Sequence, residues 1–115
     1  MKTFIQNGDV ITVTAPAGGV ASGDGVIVGS LFGIAAFTAA EDETVDIATR
    51  GVYVLPKNPT AVIAQGARVA WDGSEKRIDL PGTGFYPVGI ATEAAGNGVT
   101  TVHVRLDGVA TAAAA

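Results

Sequence analysis

From Gly18 to Ala35 the chain reads GGVASGDGVIVGSLFGIA, with glycines at 18, 19, 23, 25, 29 and 33 set between short apolar runs. Glycine is poor in a helix interior and well suited to sharp changes of chain direction. The backbone here must therefore turn and extend twice within a few residues. A fainter copy follows in QGARVAWDGSEK from Gln65, and Val88-Gly89-Ile90-Ala91 repeats the Gly-Ile-Ala of Gly33, Ile34 and Ala35. The two copies predict two strand-turn-strand corners of one small β structure. No segment of about ten residues sustains a 3.6-residue apolar period, so the fold class is all-β.

In chain order, Asn7-Gly8-Asp9 separates Phe4-Ile5 from an alternating run that begins at Val10. This predicts an N-terminal arm over residues 1–9 and then a first strand. Ala15 to Gly19 reads as a loop, and strands are expected from Val26 to Val28 and from Leu31 to Phe37. Val45 and Ile47 alternate with Thr44, Asp46 and Ala48, which is the pattern of a strand with one wet face. Gly51 to Leu55 is the next strand, and Pro56-Lys57-Asn58-Pro59 is expected to leave the sheet as a surface loop. Further strands are expected at Ala61 to Ala64, Val69 to Trp71, Arg77 to Leu80 and Val88 to Ala91, and Glu93 to Asn97 is the only place where a helical turn would be easy. The last strand, Val99 to Leu106, puts Val102, Val104 and Leu106 on one face and Thr101, His103 and Arg105 on the other. Residues 109–115 are small, mostly alanine, and offer nothing large to dock, so a frayed tail is expected.

At 115 residues the chain suits a single domain. Large side chains are scarce, with one Trp, one Met, two Tyr and four Phe. A core so poor in anchors makes burial of strand faces between copies attractive. The formal charge is −4 and the basic residues are scattered, which argues against nucleic acid as a partner. Cysteine is absent, which removes disulfides and thiol chemistry. No apolar run approaches the roughly 20 residues that span a bilayer, and no signal-peptide order is present, so the expectation is a protein made in the cytoplasm without a membrane partner.

Candidate chemistry is thin. The glycines of Gly18 to Gly25 lack the lysine and following helix of a phosphate-binding loop. Glu41, Asp42, Glu43 and Asp46 lack the order that folds carboxylates around calcium. His103 is the only histidine, which leaves a triad without identifiable partners and a multi-histidine metal site without ligands. No catalytic, cofactor, metal or small-molecule site is expected. Trp71, beside Val69 and the Asp72-Gly73 turn, is the expected core anchor. Arg50 and Arg105 are the charges nearest to apolar strands and are candidates to pair with an acid across a subunit boundary.

Several motifs together resemble the DUF2190 family, small tailed-phage and prophage proteins regarded as capsid cement or decoration proteins. They are Phe4-x-Gln6-x-Gly8-Asp9, Gly19-Val20-x-Ser22-Gly23-Asp24, Val28-Gly29, Gly33-Ile34-Ala35, Thr49-Arg50-Gly51-Val52, Leu55-Pro56, Gln65-Gly66-Ala67-x-Val69-x-Trp71-Asp72, Val88-Gly89-Ile90-Ala91 and Val102-x-Val104-Arg105-Leu106. The resemblance implies a β-barrel or β-tulip module that trimerises, sits on local three-fold axes of a phage head and clamps the major capsid protein. It also implies a capsid contact in the N-terminal arm, here Phe4, Ile5, Gln6 and Asn7. Gly19, Gly23, Asp24, Gly33, Gly51, Gly66, Trp71 and Gly89 are expected to set turns and packing, and the virion capsid surface is the implied location. The rival readings are a nucleotide-binding or enzymatic accessory protein, or a tail or baseplate β module.

Overall fold

The computed structural model describes residues 9–114, and these form nine strands and no helix. In chain order the strands are β1 (Val10–Thr14), β2 (Gly25–Val28), β3 (Leu31–Ala35), β4 (Thr44–Ala48), β5 (Arg50–Pro56), β6 (Arg68–Asp72), β7 (Arg77–Asp79), β8 (Tyr86–Ala91) and β9 (Thr101–Asp107). They build two antiparallel sheets, a four-stranded one in the order β1-β4-β3-β2 and a five-stranded one in the order β5-β9-β8-β6-β7. The fold is all-β, as the glycine punctuation and the missing helical period require. Arg50 opens the second sheet two residues after Ala48 closes β4, so the crossing between sheets takes only Thr49.

The second sheet curls into a half-barrel. Its last strand, β7, comes round to the end of β5, where Lys57 bridges Ile78 in parallel and the Asn58 N–H donates to the Ile78 carbonyl at 2.9 Å. Asn58 Nδ2 reinforces the seam by donating to Asp79 Oδ2 at 2.9 Å. The curl needs a local rise in twist, and the register between β6 and β8 shifts between Val69 and Ala70. Val69 opposes Gly89 and Ala70 opposes Pro87, which leaves Val88 as the extra residue of a bulge. Pro87 sits at that irregularity, where a missing N–H is tolerated.

The main core fills the half-barrel. Leu55, Val69, Trp71, Ile78, Val88, Ala91, Val102, Val104 and Leu106 come from the second sheet, Ala61, Ile63 and Ala95 from its loops, and Phe32 and Ile34 from β3 of the first. Alternation along β3 explains the join: Phe32 and Ile34 face the second sheet, while Ala35 belongs with Val26, Val45 and Ile47 in a smaller core on the other face. The rings of Phe32 and Trp71 meet with centroids 5.3 Å apart and planes tilted by 47°. Trp71 is 3 % exposed, and its contact with Phe32 joins the two sheets.

Four expectations need correction. Pro56 stays in the sheet, opposite Thr101, because β5 lies at the sheet's edge, where proline costs least. Lys57 is buried, and its ammonium replaces ladder partners for loop carbonyls. Residues 61–64 form no strand, since only Ile63 is bridged, to Ala95, and that same bridge occupies the stretch at Glu93 to Asn97 where a helical turn would be easy. Residues 109–114 dock instead of fraying. The Thr111 N–H donates to the Ser30 carbonyl and its hydroxyl to the Pro87 carbonyl, and Ala114 exchanges main-chain bonds with Gly84 and Phe85. Hydrogen bonding holds the tail, and side-chain size, the basis of the expectation, is irrelevant to it.

Candidate functional site

Among the described residues a concavity lies where the loop before β2 and the Gly25–Val28 strand face the far end of β6. It measures about 650 Å³ and includes Asp24, Gly25, Trp71, Asp72, Ser74, Lys76 and Tyr86 in its lining. Reactive chemistry would need ionisable groups converging on its centre. Instead each acid serves its own turn. Asp24 Oδ2 accepts the Ala21 N–H at 2.9 Å. Asp72 Oδ1 accepts the N–H groups of Ser74 and Glu75 at 3.0 and 3.3 Å and the Ser74 hydroxyl at 2.9 Å. Burial pushes the Asp72 carboxyl up, but the Glu75 N–H, the two Ser74 donors and the charge of Arg77 outweigh it and hold the group below the ordinary carboxylate value. A carboxylate so engaged is a turn staple.

The remaining candidates for chemistry lie apart. His103 is on the outer face of β9 with Nδ1 3.8 Å from Glu93 Oε2. The hydroxyls of Ser22 and Ser74 bond locally, to the Ala36 carbonyl and to Asp72. The acidic loop is also internally tied: Glu41 Oε1 accepts the Gly18 N–H, Glu43 Oε1 accepts the Ala40 N–H, and Asp46 accepts the Thr12 hydroxyl on the neighbouring strand. Among the described residues no three His, Cys, Asp or Glu side chains are grouped to hold a metal.

The expected turn and packing residues divide by cause. Gly19 has a φ of +73° and a Cβ there would lie 2.7 Å from the Ala39 carbonyl oxygen, so both conformation and space exclude a side chain. Gly23, Gly51 and Gly66 share the positive φ. Gly33 and Gly89 are strand residues kept bare by close approach: a Cβ would meet Ala48 O at 2.9 Å in the first case and Arg105 O at 2.0 Å in the second. Asp24 holds its turn through both side chain and backbone. Phe4, Ile5, Gln6 and Asn7 lie outside the described residues.

What the second sheet presents to solvent is a surface. On its outer face the cross-strand partners Val52, Arg105, Ile90 and Arg68 form one row over four strands, because Val52 opposes Arg105, Arg105 opposes Ile90 and Ile90 opposes Arg68. Val54 stands opposite His103 in the next row. Val52 and Val54 are 56 % and 59 % exposed. Alternation in β5 and β9 makes this face readable in the sequence once their pairing is known, but the sequence does not supply Ile90 and Arg68 as their neighbours. Arg50, the other arginine singled out, is engaged within the chain, with Nε 3.3 Å from Asp9 Oδ1.

The structure is thus a two-sheet β module whose acids are engaged in their own turns and whose second sheet turns an apolar and basic face outward. The family model described as phage cement protein matches residues 5–106. The chain belongs to this family of phage cement proteins, which associate with the phage capsid, and the resemblance read from its motifs holds. No curated protein and no solved structure shows a significant match.

Proposed function

We propose that the protein is a homotrimer that binds the major capsid protein at local three-fold sites of a tailed-phage head and stabilises the lattice. Family membership over residues 5–106 is the observation that carries this reading. The local engagement of Asp24, Asp72, Glu41 and Glu43 supports a non-enzymatic role, and the scattered basic residues support one without nucleic acid. Three linked contacts on a symmetric platform bind far more tightly than one. A protein that binds the assembled lattice better than its precursor stabilises the lattice by that difference in affinity. The N-terminal residues Phe4, Ile5, Gln6 and Asn7 supply part of the capsid contact, and synthesis takes place in the host cytoplasm before attachment.

Cosedimentation with purified heads lacking cement tests the reading. The full chain is expected to saturate at a fixed number of copies per head and to raise the temperature at which heads release DNA, while a variant lacking residues 1–8 binds more weakly. Binding to purified tails but not heads would move the protein to another part of the virion. Heat evolved with ATP and magnesium in a calorimeter would favour the nucleotide-binding rival.

A further inference from the structure

The row Val52, Arg105, Ile90 and Arg68 is flanked by a shallow groove of about 380 Å³, lined among others by Arg68, Arg105, Ile90, Pro81, Pro87 and Asp107. Gly89 contributes no side chain to it, and the Arg105 carbonyl occupies the place a Cβ would take. Arg68 and Arg105 are both exposed and lie two strand spacings apart, about 10 Å. Among the described residues neither guanidinium forms an ion pair. Asp107 at the rim has one carboxylate oxygen on the Val109 N–H. The groove thus offers two forked cations over an apolar floor, which suits a pair of carboxylates on a small, firm loop.

This chain carries such a loop elsewhere. Glu41, Asp42 and Glu43 are exposed at the turn between β3 and β4. Glu41 and Glu43 each use one oxygen to fasten the loop, to the N–H groups of Gly18 and Ala40. Asp42 takes a φ of +69°, a conformation few non-glycine residues adopt, and its carboxylate accepts no hydrogen bond among the described residues. The loop stands at the start of β4, whereas Arg105 pairs with Val52, beyond the end of β4 and the Thr49 link. The loop thus belongs to the first sheet and the groove to the second. Among the described residues no ion pair joins the two within a molecule, and their opposite charges complement each other between molecules.

We propose that the Arg68 and Arg105 groove of one copy receives the Glu41 to Glu43 loop of the next, so that copies associate head to tail. Val52, Val54 and Ile90 add the apolar contact at its edge. A contact between different patches of identical chains generates a ring when the rotation closes. It supplies the interface of the proposed trimer and rests on that reading only for the number of copies. The net charge of −4 makes copies repel at a distance, so the local complementarity fixes their orientation.

Analytical ultracentrifugation of the full chain tests this contact without any capsid. The wild type is expected to self-associate at low salt and to dissociate as salt screens the pairs. Arg68→Glu with Arg105→Glu, and separately Asp42→Lys, should each weaken association by about tenfold or more, with circular dichroism unchanged because all three side chains are exposed. Arg68→Gln with Arg105→Gln removes the attraction without adding repulsion and should give a smaller loss in the same direction. An equimolar mixture of the two charge-reversed proteins should associate again, since each then offers the sign the other lacks. A wild type that stays monomeric at high concentration and low salt overturns the contact, as does an arginine variant that associates like the wild type. A monomer that still binds heads would remove this contact and leave the cement role standing; association without head binding would do the reverse.

Discussion

Gly25 leaves the space that the indole of Trp71 fills: a methyl group on its Cα would lie 2.7 Å from Trp71 Cη2 and 2.9 Å from Cζ2. The contact joins the two sheets, since Gly25 opens β2 and Trp71 lies in β6, with Phe32 on another side of the ring at 5.3 Å. Trp71 is 3 % exposed and packs against Phe32, so admitting a methyl group means shifting the indole within the core contact. Gly25→Ala is therefore expected to cost about 2 kcal/mol through overpacking, and its effect should shrink in a Trp71→Phe background, where the smaller ring makes space. Thermal melts of the four proteins of this cycle measure it, and purely additive losses would show that the indole is not the obstacle. Gly23→Ala, at a φ of +88° with nothing within 4 Å, is the control; it should lose only the backbone term of about 1 kcal/mol. Gly89→Ala should be the most damaging of the three, because the opposing atom is main chain on β9 and cannot turn aside.

Lys57 is 2 % exposed, and Nζ donates to the Asn58 carbonyl at 2.7 Å and to the Ala61 carbonyl at 2.5 Å. Its ammonium does the work of a capping group for the loop that closes the half-barrel against β7. Lys57→Met keeps much of the buried stem but takes the donor from the Ala61 oxygen. An abandoned buried acceptor costs about 1 to 3 kcal/mol, and urea unfolding should report a loss in that range. Faster amide exchange at Asn58 and Lys57, whose N–H groups bond to Ile78 and Thr100, is expected alongside. A variant as stable as the wild type would mean that water replaces the ammonium without cost.

Asp72 links stability to acid. Burial opposes ionisation of its carboxyl, but the donors from Glu75 and Ser74 and the charge of Arg77 favour it more, so folding lowers its pKa. The folded protein then binds fewer protons than the unfolded chain in the interval between the two values. The resulting stability is complete above the unfolded value of about 3.9 and is lost as the pH falls through the folded one. The melting temperature of the wild type should therefore fall more steeply below pH 4 than that of Asp72→Asn, which has no carboxyl to protonate. Parallel curves would assign the acid sensitivity to other groups.

The sequence was legible wherever a local rule decided the outcome. Val45 and Ile47, Val102 and Val104, and the glycines at 19, 23 and 66 declared strand faces and turns by alternation and by their φ requirement. Pro56, Lys57 and Ile63 misled because pairing decided them: a proline is harmless on an edge strand, a lysine can serve carbonyls inside, and Ile63 meets Ala95 through one bridge without a ladder. Gly33 and Gly89 were visible as a repeated Gly-Ile-Ala, but the reason for each lies in a neighbouring strand that no local pattern names. The outer row of Val52, Arg105, Ile90 and Arg68 was half legible. Arg105 stood out by its setting, whereas Arg68 and Ile90 joined it only through the register of β6 and β8.

The tail gives a last test, because composition and structure disagree about it most sharply. Residues 109–114 are small and mostly alanine, yet Thr111 is buried and ties the Ser30 carbonyl of the β2 to β3 turn to the Pro87 carbonyl of β8. One residue thus bridges the two sheets, and Ala114 adds a short pairing with Gly84 and Phe85. Thr111→Val preserves shape while leaving the Pro87 oxygen without its donor, and is expected to cost about 1 to 2 kcal/mol. Removing residues 109–115 should cost more and should speed exchange at the Gly84 amide, which now bonds to Ala114. If truncation leaves both the melting temperature and that exchange rate unchanged, the tail contributes nothing to holding the sheets together.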